Sequence, residues 1–161
     1  MYTLSAGLWE RFFKKRDYYV VIVGLDNVGK TTFLEQIKSH FVHGYGALNP
    51  ARITSTVGLN IGKVEINNTC LNFWDLGGQE DLRTLWSSYY DEANAMIFVV
   101  DATKRELFAE VSSVFREVIS NEYVQRMPIL VAVNKSEIEG SAEAAEVMHS
   151  SFSLLFLNLN G

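Results

Sequence analysis

The sequence predicts an α/β domain built on a mainly parallel sheet flanked by helices, and three observations lead there. Short β-branched apolar runs, of the kind buried on both faces of a sheet, recur along the chain. Stretches with a helical apolar period separate them. One of the runs, YYVVIV, feeds directly into GLDNVGKTT, a glycine-framed turn that opens a helix. Strands alternating with helices are the mark of a parallel sheet joined by crossovers.

Taken in order, residues 18–23 form the first buried-type strand. Lys30 to Phe41 follows, with Phe33, Leu34, Ile37 and Phe41 on one helical stripe. Residues 42–55, VHGYGALNPARITS, are rich in Gly and Pro and predict a loop. LNIGKVEI (59–66) and CLNFWD (70–75) flank Asn67-Asn68-Thr69, the pattern of an antiparallel hairpin. AMIFVVD (95–101) and ILVAVN (129–134) are further buried-type strands. Apolar positions 107, 108, 111, 114, 115, 118 and 119 put a helix over Leu107–Tyr123 between them. A short acidic helix, expected to face solvent, covers Ser141–Met148.

With 161 residues the chain is expected to be one domain with a sizeable core. A net charge of −5 and a pI near 5.2 argue against broad nucleic-acid binding, which usually needs a basic face. The single cysteine, Cys70, reads as a small buried hydrophobe on a strand. No apolar run approaches the ~20 residues of a membrane span. His40, His43 and His149 have no metal-site pattern behind them and are expected to be solvated.

The stretch Gly24-x-x-x-x-Gly29-Lys30-Thr31 matches a phosphate-binding loop and has the strand before it and the helix after it that such a loop requires. The glycines permit backbone conformations that aim successive N–H groups at phosphate oxygens. The helix N-terminus adds its positive end, Lys30 reaches the terminal phosphates, and Thr31 offers a hydroxyl to Mg²⁺. Four fixed positions arise by chance in roughly one chain of this length in a hundred. Further along, Trp74-Asp75-Leu76-Gly77-Gly78-Gln79 ends a strand with an acid, two glycines and an amide. There a carboxylate can hold Mg²⁺ through water, Gly78 can offer its N–H to a γ-phosphate, and Gln79 can orient an attacking water. Thr56 can supply a second hydroxyl, and Asn134-Lys135 ends the last strand, where a base-reading loop would lie.

Together GLDNVGKTT, TVGLN, WDLGGQE, LWSSYY and NKSE resemble the small GTPases of the ADP-ribosylation-factor (Arf) family, most closely its Arf-related protein subgroup. The resemblance spans residues 1–148. It implies a P-loop NTPase of the Ras-like G-domain type that switches between GTP and GDP and hydrolyses GTP. It further implies that Gly24, Leu25, Asp26, Asn27, Val28, Gly29, Lys30, Thr31 and Thr32 hold the phosphates. Thr31 and Thr56 would bind Mg²⁺ with Asp75 beside it. Gly78 would sense the γ-phosphate, Gln79 would be catalytic, and Asn134, Lys135 and Glu137 would meet guanine. Leu59, Trp74 and Tyr89 fall at positions of the family's hydrophobic effector patch, and each could equally be a core residue. Exchange factor, activating protein and effectors are the implied partners. The cation opposite the developing charge is expected from the activating protein, since the nearest one in the loop, Arg52, reads as solvated.

Residues 2–16, YTLSAGLWERFFKKR, place Leu4, Leu8 and Phe12 on one stripe, with Trp9 and Phe13 beside it and a basic end. This suits a helix over 1–16 that lies at a membrane surface or packs on its own domain. Residue 2 is Tyr, so the glycine needed for N-myristoylation is absent. The subgroup resemblance implies instead an acetylated N-terminus, a membrane-protein receptor and a cytoplasmic protein peripherally attached to Golgi membranes.

Two features depart from the family. Its base-reading motif normally ends in Asp, where this chain has Glu137, whose extra methylene displaces the carboxylate by about a bond length. The second departure is that the family pattern stops after about Met148, so an incomplete G domain is expected over 17–148, lacking the family's last strand and C-terminal helix. Residues 149–161, SSFSLLFLNLNG after His149, are expected as an atypical tail, imitating a strand or lying exposed. Apolar sheet surface would then be uncovered.

Overall fold

Among the described residues, five strands make one sheet: β1 (Arg16–Val23), β2 (Leu59–Ile66), β3 (Thr69–Leu76), β4 (Ala95–Asp101) and β5 (Ile129–Asn134). Their spatial order is β2-β3-β1-β4-β5. This computed structural model describes residues 15–46 and 48–157. The helix expected over 1–16 therefore lies almost wholly outside the described residues, as do residues 158–161.

Pairing is parallel from β3 through β1 and β4 to β5, and only the β2–β3 hairpin is antiparallel. Strands buried on both faces need apolar residues throughout, which is why Val20 to Val23 and Met96 to Val100 are all buried. The parallel register brings the C-terminal ends of β1, β3, β4 and β5 to one edge of the sheet, with Ile22 beside Asp75 and Asp101 beside Asn134. In open α/β sheets ligands bind at that edge.

Helices α1 (Lys30–Phe41), α2 (Glu80–Arg83), α3 (Phe108–Ser120) and α4 (Ala144–Leu157) complete the layers, with 3₁₀ turns at Pro50–Arg52, Trp86–Tyr89, Arg105–Leu107 and Val124–Arg126. Helix α3 stops three residues short of the expected Tyr123. Asn121 is extended, and its side chain accepts a hydrogen bond from the Tyr123 N–H at 3.0 Å, a local turn that competes with another helical turn.

The largest difference from expectation is at the tail. Residues 149–157 are neither strand nor exposed coil, because α4 runs through them, with a non-helical residue at Phe152 (φ −128°, ψ 15°). Phe152 is buried edge-on against Phe115 of α3 at 4.5 Å and Phe98 of β4 at 6.1 Å. Burying one such ring is worth about 1.5–3 kcal/mol, which gives this segment its reason to fold back. On the other face, Ile97 shares a groove with Phe33, Ile37 and Phe41 of α1 and with Leu130. Among the described residues, Phe41 and Leu130 are exposed there.

Candidate functional site

The turn between β1 and α1 has the backbone that its glycines were expected to supply. Gly24 (φ 144°), Asn27 (φ 60°) and Gly29 (φ 92°) all adopt positive φ, and Gly29 caps α1 with no side-chain hydrogen bond. A side chain at Gly29 would run into the Asn134 amide. Leu25 and Val28 point into the core, so these two can serve a ligand only through their backbone. Asp26, Asn27, Lys30, Thr31, Thr32 and Thr56 line the cleft above the turn, together with Lys135 and residues 53–55. Lys30 is buried, and its Nζ donates to the carbonyls of Leu25 (2.7 Å) and Gly24 (3.1 Å). Burial pulls its pKa down to about 8, against the charges of Asp75 and Asp26, which pull upward. A polyanion in the cleft would therefore meet a cation short of counter-charge.

Beside the turn, three residues from three elements converge. Thr31 Oγ1 donates to Asp75 Oδ2 at 2.6 Å and lies 2.8 Å from Thr56 Oγ1. Thr56 (3.4 Å) and Asn60 Nδ2 (3.2 Å) also donate to that oxygen. The other oxygen, Asp75 Oδ1, is buried with no hydrogen-bond partner among the described residues. Burial pushes the Asp75 carboxyl up from its ordinary range despite these bonds. Two hydroxyls facing a desolvated carboxylate are hard oxygen donors, the set that suits a small divalent cation keeping several of its own oxygen ligands. Among the described residues no cluster of three His, Cys, Asp or Glu offers another metal site, and His40, His43 and His149 are all exposed.

After β3, Gly77 and Gly78 are buried and Gln79 is exposed at the start of α2. A Cβ on Gly78 would collide with the Gly24 and Leu25 carbonyls, so this glycine lies directly on the turn between β1 and α1. Gly77 N–H donates to Gly58 O at 2.9 Å, tying the turn to the loop that carries Thr56. The Gly77 carbonyl accepts from buried Trp86 Nε1 at 2.9 Å. The Gly78 carbonyl accepts from Arg83 Nε at 3.0 Å, and Arg83 is held in turn by Glu110 at 2.9 Å.

At the far end, Asn134 Nδ2 donates to Val28 O at 2.8 Å. Lys135 Nζ donates to Asn27 O at 2.9 Å and to Asp101 Oδ2 at 2.6 Å. Both residues thus reach the turn 106–108 positions earlier in sequence. Glu137 is different: it is exposed in the following turn and does not line the cleft. Arg52 is also exposed and outside the cleft lining, in accord with a solvated role.

Leu59 is exposed, while Trp74 and Tyr89 are half-buried. The Trp74 ring lies 4.9 Å from that of Tyr19 and 5.6 Å from that of Tyr89. None of the three is a full core residue. Sequence reasoning missed Ile61, which stands opposite Trp74 across the hairpin, two residues from Leu59 on the same face, and is exposed. It also missed Asn60 and Asp101. An acid ending an apolar strand, as Asp75 does, was the signal available for Asp101.

Comparison with known proteins agrees with this geometry. The model of the ADP-ribosylation factor family matches residues 5–156. ADP-ribosylation factor-related protein 1 of rat and of human are each 48% identical over 139 residues, 86% of this chain and 69% of theirs. ADP-ribosylation factor-like protein 3 of Saccharomyces cerevisiae is 38% identical over 148 residues, covering 91% of this chain and 74% of its own. Among solved structures, the Arl6 BBS3 small GTPase from Trypanosoma brucei, with bound nucleotide analogue GppNp, matches with a TM-score of 0.73 at 32% identity. That match covers 90% of this chain and 81% of the other.

Proposed function

The chain belongs to the ADP-ribosylation factor family of small GTPases, with the Ras-like P-loop NTPase fold, and from that premise we propose a Mg²⁺-dependent GTP/GDP switch acting in Golgi and endosomal vesicle trafficking. As in the family, exchange factors, activating proteins and effectors govern such a switch, and GTP hydrolysis resets it.

The observation that carries the site assignment is the meeting of Thr31, Thr56 and the orphaned Asp75 oxygen at the mouth of the phosphate-binding turn. The turn's N–H groups from Gly24 to Thr32, with Lys30, hold the phosphates. Thr31 and Thr56 would hold Mg²⁺ with Asp75 beside it, and the ion would supply positive charge against the phosphates. Gly78 donates its N–H to the γ-phosphate and Gln79 orients the attacking water. Asn134 and Lys135, whose side chains brace the turn from behind, contact guanine on this reading.

The trafficking role rests on the resemblance to the Arf-related subgroup, on the basic amphipathic residues 2–16, and on the exposed apolar row of Leu59 and Ile61 beside Trp74, a docking face for effectors. Tagged Thr31→Asn and Gln79→Leu proteins imaged against a Golgi marker test it. The reading expects Gln79→Leu on Golgi membranes and Thr31→Asn dispersed. The same distribution for both would overturn the trafficking assignment.

Glu137 favours a second reading, a nucleotide-binding module that does not cycle, because an exposed Glu stands where the family's base-reading motif ends in Asp. Measurement of GTP or GDP tightly bound after purification decides between them. Tightly bound guanine nucleotide supports the switch, and weak or absent binding supports the second reading.

A further inference from the structure

The carbonyls of two consecutive glycines, Gly77 and Gly78, are each held by a side chain from the segment that follows them. Trp86 Nε1 donates to Gly77 O at 2.9 Å, and Arg83 Nε donates to Gly78 O at 3.0 Å. Trp86 is buried, and an indole N–H can only donate. Arg83 is oriented by its ion pair with Glu110 of α3.

A trans peptide is planar, so the Gly77 carbonyl and the Gly78 N–H share one rigid unit and point in opposite directions. Two glycines in a row give that unit little steric resistance to rotation. Fixing the carbonyl therefore fixes where the N–H aims. The plane is pinned on one side by Trp86, and Gly78 itself lies against the Gly24 and Leu25 carbonyls of the phosphate-binding turn. Arg83 pins the next plane, which carries the N–H of Gln79.

We propose that Trp86 is a positioning residue for recognition of the terminal phosphate. Its indole N–H orients the Gly77–Gly78 peptide so that the Gly78 N–H is presented to a γ-phosphate, and Arg83 does the same for the following peptide. This deepens the switch assignment and rests on the reading of Gly78 as the γ-phosphate contact. On that reading a diphosphate, which lacks the γ-phosphate, makes no contact with Gly78, and the effect is expected with the triphosphate alone.

The test is Trp86→Phe, which keeps an aromatic ring and removes the donor. Affinities for a fluorescent GDP and a fluorescent non-hydrolysable GTP analogue are measured on the full chain. Loss of one hydrogen bond predicts a fall of roughly fivefold for the triphosphate analogue and a change under about twofold for GDP. Thermal melts report whether the variant folds. Arg83→Met, whose side chain is less buried, is predicted to shift affinity in the same triphosphate-selective sense and keeps the proposal testable should Trp86→Phe unfold. In ¹⁵N spectra of the parent, the Trp86 indole N–H is expected to exchange slowly with solvent. Equal losses for both nucleotides, or no loss in either variant, would overturn the proposal while leaving the switch intact. A parent that binds neither nucleotide would instead overturn the switch assignment and this inference with it.

Discussion

Thr31 Oγ1 donates to one oxygen of Asp75 at 2.6 Å, while the other oxygen of the same carboxylate is buried without a partner. A native fold leaves a buried acceptor unpaired only at a cost of about 1–3 kcal/mol, more for a charged group, so such an atom asks for an occupant. Asp75→Asn keeps the shape and removes the charge. Partners of this kind are worth roughly 10–100-fold in metal affinity, and Mg²⁺ dependence of labelled-GDP release should weaken by that factor. An unchanged Mg²⁺ titration would move the metal elsewhere.

Gln79 is exposed at the start of α2. Gln79→Leu should leave GTP binding largely intact and lower activator-stimulated single-turnover hydrolysis by about 10² or more. Equal stimulated rates in variant and parent would remove Gln79 from the reaction.

Arg52 lies in the 3₁₀ turn before Thr56, exposed and outside the cleft lining. Intrinsic hydrolysis should be slow, and Arg52→Ala should change it little, because an arginine supplied in trans is worth 10³–10⁵ in such enzymes, roughly the whole missing acceleration. A fast parent rate that collapses in the variant would mean that the finger is built in.

Asp101 supplies a pH dependence. Burial raises its carboxyl pKa, but hydrogen bonds from Lys135 and from the Thr103 side chain and N–H outweigh that, and the net position is below its ordinary 3.8. A carboxyl depressed in the folded state stabilises the fold above its unfolded pKa, and the contribution is lost as pH falls through the folded value. Parent and Asp101→Asn should therefore differ in urea midpoint at neutral pH and converge below 3.8. A gap that persists in acid would mean that packing, not charge, is at stake.

Phe152 closes a three-ring cluster with Phe98 and Phe115. Phe152→Ala should cost about 3–5 kcal/mol by equilibrium unfolding, the usual range for deleting a buried ring. A change under about 0.5 kcal/mol would be that of a surface site and would detach this segment from the core.

These tests also mark where the sequence was readable. Strands such as 95–101 announce themselves because a position buried on both faces admits only apolar residues, and AMIFVVD leaves no choice. Gly29, Lys30 and Thr31 were legible as a motif of fixed spacing between a strand and a helix, and the structure brings Asp75 to Thr31. The segment SSFSLLFL was not. Its apolar residues are too dense to show a period, so helix and strand look alike until Phe152 finds Phe115. Nor were the bonds from Trp86 and Arg83 to the glycine carbonyls, since side-chain contacts to backbone leave no periodic trace. Glu137 shows the opposite limit, a residue at the motif's position whose side chain the fold turns to solvent.

The absence of space at Gly78 bears on inheritance as well as on chemistry. Every missense change of a glycine codon adds at least one carbon, and at this position that carbon meets two backbone oxygens that cannot move without opening the phosphate-binding turn. Among the described residues, Gly46, in the loop, has nothing within 4 Å of the same added carbon. In a population of variants the first codon should be swept clean and the second should drift. A map of tolerated alleles along this chain would trace the outline of the turn between β1 and α1.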